Sequence, residues 1–187
     1  MSRTAIRRGV RMSLAAAAVG AALLAAPAAY GGTASNSSDL LAPGTHVPAS
    51  VVTPKNCGSI PGNADDNVLR ILRDVSNQRG VDGRVRLSVF ETAWVESHAN
   101  NLNCGTGDSI GVFQQIPRFW CPEDRNNCLD VAHAANKYLD QAIPNAANNP
   151  GWSAGRVAQS VQRSAFPDRY DQAQGTAQDL INRSNGL

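Results

Sequence analysis

The chain has 187 residues, 17 basic and 15 acidic side chains, 4 cysteines and a formal charge of +2, enough for one domain with flanking segments. The positive excess is local. Arg3, Arg7, Arg8 and Arg11 stand in the first dozen residues with no acid near them, and the rest of the chain holds 13 basic residues against 15 acidic ones. A nucleic-acid binder carries a basic patch into its folded surface, so nucleic acid is not an expected partner.

In chain order, the arginines are followed by an apolar stretch of mostly alanine and leucine, Leu14 to Ala26, and then by the small residues Ala26-Pro27-Ala28. This is the three-part pattern of a secretory signal, expected over residues 1–29 with cleavage near Ala28 or Ala29. The apolar run is shorter than the roughly 20 residues needed to cross a bilayer, so stable membrane insertion is not expected. Arg7-Arg8 is a twin arginine, consistent with export of an already folded chain. Residues 30–56 are Gly, Ser, Thr, Ala and Pro in loose order and read as a flexible linker. The folded unit is expected over residues 57–187, in a secreted protein.

Helical patterns dominate that unit. Val68, Leu69, Leu72 and Val75 predict a helix over 64–79 that stops at Gly80. Asp82 is placed to cap a second helix running to about Ser97, with Val85, Val89 and Ala93 at four-residue steps. A short helix is predicted around Gly111 to Ile116, ending at Pro117. Further helices are predicted over 131–143, 153–164 and 167–182, and strand signals are nearly absent. The expected class is mainly α, with about six helices.

All four cysteines (Cys57, Cys104, Cys121 and Cys128) come after the signal. An even number in an exported chain reads as two disulfides, with three connectivities possible. Cys121 and Cys128 are close enough to staple one loop. Cys57 to Cys104 would then tie the start of the domain to a central loop. No cysteine spacing suits zinc and the three histidines are scattered, so no metal is expected.

Only three glutamates are present. Glu123 lies in the polar loop between Cys121 and Cys128 and reads as a solvated charge. Glu91 and Glu96 share the second helix, about 140° apart around it. Glu96 continues the apolar stripe of Val89 and Ala93, whereas Glu91 points off that stripe and is expected to face water. An acid on the buried side of a helix costs free energy unless something uses it. Apolar neighbours such as Val95 and Phe113, and the negative end of the helix dipole, favour its neutral form. A neutral carboxyl is the group that protonates a leaving oxygen when a glycosidic bond is cut.

The residues beyond Glu96 extend this reading. Glu96-Ser97 is succeeded by a polar loop, Asn100 to Gly105, and then by Asp108-Ser109-Ile110-Gly111-Val112-Phe113-Gln114-Gln115-Ile116-Pro117. This resembles the signature of lytic transglycosylases of the soluble type, where a helix ends in Glu-Ser and a serine precedes a Gly-Leu-Met-Gln-like turn closed by proline. Gly111, Gln114 and Pro117 stand at that family's spacing. Ala158 to Pro167 falls where the family has its Ala-Tyr-Asn segment, but the tyrosine and asparagine are absent, as in a variant of exported actinobacterial wall proteins. The likeness spans about residues 82–170.

The resemblance implies a lysozyme-like domain that cuts the bond between N-acetylmuramic acid and N-acetylglucosamine in peptidoglycan, with Glu96 as the catalytic acid. It implies no cofactor and no metal, and a monomer whose partner is the glycan strand. No second carboxylate is obvious. Asp108 is the nearest candidate and reads equally as a turn or cap residue. Ser97, Ser109, Gln114, Gln115, Gln162 and Tyr170 are candidate substrate contacts, with Gln162 or Tyr170 taking the place of the missing tyrosine. Ser97 has the alternative of capping the helix end, and at least one of the two adjacent glutamines is expected to bond loop backbone. Trp94, Phe113 and Trp152 read as core. Trp120 suits either a sugar-stacking floor or packing on a disulfide. A hydrolytic muramidase and a non-catalytic wall-binding module remain as alternatives.

Overall fold

The computed structural model describes residues 57–187, so the expected signal (1–29) and linker (30–56) lie outside the described residues. Within them the fold is helical. The elements are α1 (Asp66–Gln78), α2 (Gly83–Ser97), α3 (Pro117–Trp120), a 3-10 turn (Arg125–Leu129), α4 (Val131–Asn148), α5 (Ala154–Gln162), α6 (Arg169–Gln172) and α7 (Gln174–Asn185). No strand forms among the described residues; one isolated antiparallel bridge joins Ile110 to Gln115. Among the same residues no helix is long and apolar enough to cross a membrane.

The starts of α1, α2, α4 and α5 are set locally. Asp65 accepts from the backbone N–H groups of Asn67 and Val68. Asp82 accepts from Val85, Asp130 from His133, and the Ser153 hydroxyl from Arg156. These side chains occupy amides that a helix leaves unpaired at its first turn. The end of α1 is set by Gly80 at φ 58°, beyond the Arg79 cap.

α2 is the centre of the domain. It packs against α1, α4, α5, α6 and α7. Its buried positions include Val85, Val89 and Ala93 as expected, but also Ser88, Phe90, Glu91, Thr92, Val95 and Ser97. The expectation that Glu91 faces water is therefore overturned: Glu91 is fully buried. An amphipathic reading assumes one wet side, and a helix surrounded by other helices has none.

Further boundaries differ from expectation. Residues 111–116 do not form a helix. Ile110 and Gln115 exchange backbone hydrogen bonds of 3.0 and 2.9 Å around a four-residue turn, with Gly111 at φ 79° and Gln114 at φ 48°, values a right-handed helix does not use. Pro117 opens a helix rather than ending one, since its missing N–H would be unpaired at that position anyway. α4 runs past Pro144 to Asn148. Its last turn is held by the Arg84 guanidinium, which donates to the carbonyls of Ala146, Asn149, Pro150 and Trp152, placing a cation where the helix dipole is negative. The helix expected over 167–182 is two helices, meeting at Ala173.

The cysteines pair as Cys57–Cys104 and Cys121–Cys128, with Cα atoms 5.2 and 5.8 Å apart. Disulfides persist in oxidising compartments, so the pairing fits an exported chain. Trp120 packs at the second disulfide, beside Ile110.

Candidate active site around Glu96

The last turn of α2, the 104–116 loop and the 162–169 segment enclose a cavity of about 370 Å³. Val95 and Glu96 come from the helix. Thr106, Ser109, Gln114 and Ile116 come from the loop, and Gln162, Ser164, Ala165, Phe166 and Arg169 from the far wall. Glu96 is the only carboxylate in that lining. Asp108 is exposed and is not part of the wall.

Glu96 is 12% exposed and forms an ion pair with Arg169, itself 7% exposed. The Tyr170 hydroxyl donates to the same Glu96 oxygen, Oε1, at 2.7 Å. Arg169 Nη2 donates both to Oε1 and to the Tyr170 oxygen, the latter at 3.0 Å. The guanidinium also lies over the Tyr170 ring, 5.0 Å from its centre. The three side chains hold one another, and α6 supplies two of them. Burial, and next the Glu96 charge beside it, push the Tyr170 phenol well above its ordinary range. Tyr170 therefore remains a proton donor to the carboxylate at any physiological pH.

The loop is built to stand against the helix end. Ser97 is fully buried. Its hydroxyl donates to Val112 O at 2.7 Å and accepts from the Asn100 N–H. It thus caps the helix and ties it to the 110–115 turn, and it does not line the cavity. His98 and Ala99 come next at positive φ, turning the chain out of the helix. Trp94 stacks on His98 with ring centres 4.4 Å apart. A side-chain carbon added at Gly105 would collide with Gln114 Oε1 and with Ser109. One at Gly111 would collide with the Cys128 carbonyl.

Of the expected contacts, Ser109, Gln114 and Gln162 reach the cavity wall, but each is already engaged. The Ser109 hydroxyl donates to Thr106 O, and the Gln114 amide donates to the carbonyls of Cys104 and Gly111. The Gln162 amide donates to Phe113 O at 2.8 Å, linking the two walls. Gln115 is 2% exposed, donates to Ala134 O, and lies outside the lining. Tyr170 is fully buried and meets Glu96 rather than open space. Phe113 stacks on Tyr138 in the core, with centres 5.0 Å apart. Trp120 is not in the cavity wall. Glu123 is exposed, as expected.

Sequence reasoning misses Arg169, Thr106, Ser164 and Phe166. Arg169 lies 73 residues from Glu96, and its one sequence signal is its place beside Tyr170.

The second buried acid is Glu91. Neither of its oxygens has a hydrogen-bond partner among the described residues. Burial, and next the charge of Asp171, raise its pKa from 4.5 to about 8. It does not line the Glu96 cavity. Among the described residues no group of three or more His, Cys, Asp or Glu is placed to hold a metal ion. No protein-family model matches the chain, and no curated protein matches it.

Proposed function

We propose that the domain cuts the glycan strand of peptidoglycan at the bond between N-acetylmuramic acid and N-acetylglucosamine, by lytic transglycosylation on a lysozyme-like fold. The observation that carries this reading is convergence. The Glu96–Pro117 stretch, which bears the resemblance, meets part of the 158–167 segment, which falls where the family has its Ala-Tyr-Asn segment, at one cavity whose lining has a single carboxylate.

A single carboxylate suits intramolecular transfer. Retaining glycosidases place a second carboxylate about 5 Å from the first, and the cavity wall offers none. In the proposed reaction Glu96 donates its proton to the bridging oxygen as the glycosidic bond breaks. The substrate's own N-acetyl oxygen stabilises the electron-poor carbon. Glu96, now a carboxylate, takes the proton from the sugar's 6-hydroxyl as that oxygen bonds to the same carbon. The product is a 1,6-anhydro end, with no water consumed. The Arg169 ion pair and the Tyr170 hydrogen bond suit the second half, where the carboxylate is the acting form.

A second reading is favoured by the same ion pair. Glu96 in an ion pair with a buried arginine has a structural partner of its own, which fits a wall-binding module without activity. Mass analysis of peptidoglycan digested by the protein separates the two. Fragments one water lighter than hydrolytic products, and lost with Glu96→Gln, support transglycosylation. Ordinary reducing ends make it a hydrolytic muramidase. Wall binding without any fragments overturns the enzymatic reading.

A further inference from the structure

A second cavity, of about 340 Å³, adjoins the first along the chain. Ser164, Ala165, Phe166 and Arg169 line the Glu96 cavity, while Pro167 and Asp168, from the same segment, line the second. On α5, Gln162 faces the first, and Arg156 and Gln159 the second.

The chemistry of this second cavity is mixed in a specific way. Trp152 gives it an apolar wall, and the Arg156 guanidinium lies over that ring, 5.5 Å from its centre. Asp168 and Asp171 bring two carboxylates, and none of these three charged groups is in an ion pair among the described residues. Asp171 is seated firmly: its Oδ1 accepts from the Gly155 N–H at 3.2 Å, and any side chain at Gly155 would collide with it. Gln159 donates through its amide to Ser164 O at 2.8 Å, which ties this wall to the segment shared with the Glu96 cavity. The cavity therefore offers acceptors for an ammonium, a guanidinium for a carboxylate, and an indole for a short aliphatic stem.

We propose that this cavity binds the zwitterionic end of a diamino acid, ammonium beside carboxylate, as carried by a stem peptide of the wall. The choice of a wall peptide rests on the glycan-cutting reading of the neighbouring cavity, because stem peptides hang from the muramyl sugar; the recognition chemistry does not. The ammonium sits between Asp168 and Asp171, and the carboxylate on Arg156. Charge-assisted contacts of this kind are the strong ones. A lysine-ended peptide lacks the second charge and loses the Arg156 contact.

The test uses the full chain and two free tripeptides, L-Ala-γ-D-Glu-meso-diaminopimelate and its L-lysine counterpart, in calorimetric titrations. The expected result is binding of the first, with the second weaker by about tenfold. Asp168→Asn and Arg156→Gln, both at exposed positions, each weaken the first by about tenfold, and Arg156→Gln erases the preference between the two. Absence of binding, or binding that neither variant changes, overturns the proposal. Peptide-free glycan strands report separately on the neighbouring cavity: their cleavage without tripeptide binding overturns this site alone. Tripeptide binding without cleavage sustains this site and sinks the reading of Glu96.

Discussion

Two carboxyl groups on α2, five residues apart, are both withdrawn from water, yet their surroundings differ in kind. Glu91 meets no donor and is pushed toward its neutral form by burial. Glu96 meets an arginine and a tyrosine at the wall of a cavity. Burial marks both residues, so burial alone does not mark a reactive group. What separates them is access and partners: one is sealed in by helices, the other stands where the helix runs out and loops take over.

The contrast is tested most severely at the two residues themselves. Glu96→Gln is expected to cut glycan cleavage by roughly 10²–10⁴-fold, the usual contribution of general acid–base catalysis, and to lower the melting temperature as well, because the buried Arg169 guanidinium loses its counter-charge. A variant that still yields anhydro-ended fragments at the parent's rate would remove Glu96 from the chemistry.

Glu91→Leu is expected to do the reverse, leaving cleavage intact and raising stability. Between pH 4.5 and about 8 the unfolded chain loses this proton and the folded chain keeps it, so stability falls as pH rises through that window. Below it both states are protonated and the group contributes no pH dependence. The leucine variant removes the loss, and its advantage over the parent should grow by roughly 4 kcal/mol between about pH 4 and pH 8.5. Urea unfolding across that range measures it. An advantage that does not change with pH would mean that Glu91 does not titrate this way.

Smaller effects test the frame around Glu96. Gly111→Ala places a side chain at φ 79° against the Cys128 carbonyl and should cost about 2 kcal/mol, seen as a lowered melting temperature together with weaker substrate binding. Ser97→Ala removes the bond from helix to turn and should cost about 1 kcal/mol. Its larger signature is kinetic, a raised KM with kcat little changed, because the turn then sits less firmly against the helix end. A fall in kcat alone would instead place Ser97 in the chemistry.

How much of the fold and site is legible in the sequence depends on the range of the forces involved. Asp65, Asp82, Asp130 and Ser153 act within three residues of themselves, and the helices they open are readable. The loop-stapling pair Cys121–Cys128 is readable for the same reason. The 111–114 turn is not, because it folds against Cys128 and Ser97, which sequence does not place beside it. Nor is the last turn of α4, held by Arg84 more than sixty residues away. Glu96 stands out for its place on an apolar stripe, yet the same periodicity sends Glu91 to solvent. Periodicity measures asymmetry, and a helix covered on every side has little. The partners Arg169 and Tyr170 belong to a helix of four residues, too short to leave a periodic trace.

The Cys57–Cys104 bond gives the domain a load path. A pull on the chain ahead of Cys57 passes across the sulfurs to Cys104, next to Gly105 and the loop that walls the Glu96 cavity, before it reaches α1. Tension arriving at Cys57 is thus delivered to the cleft rim while the first helix is shielded from it. Reduction of that bond reverses the order, so that the same pull unwinds α1 first and leaves the rim slack.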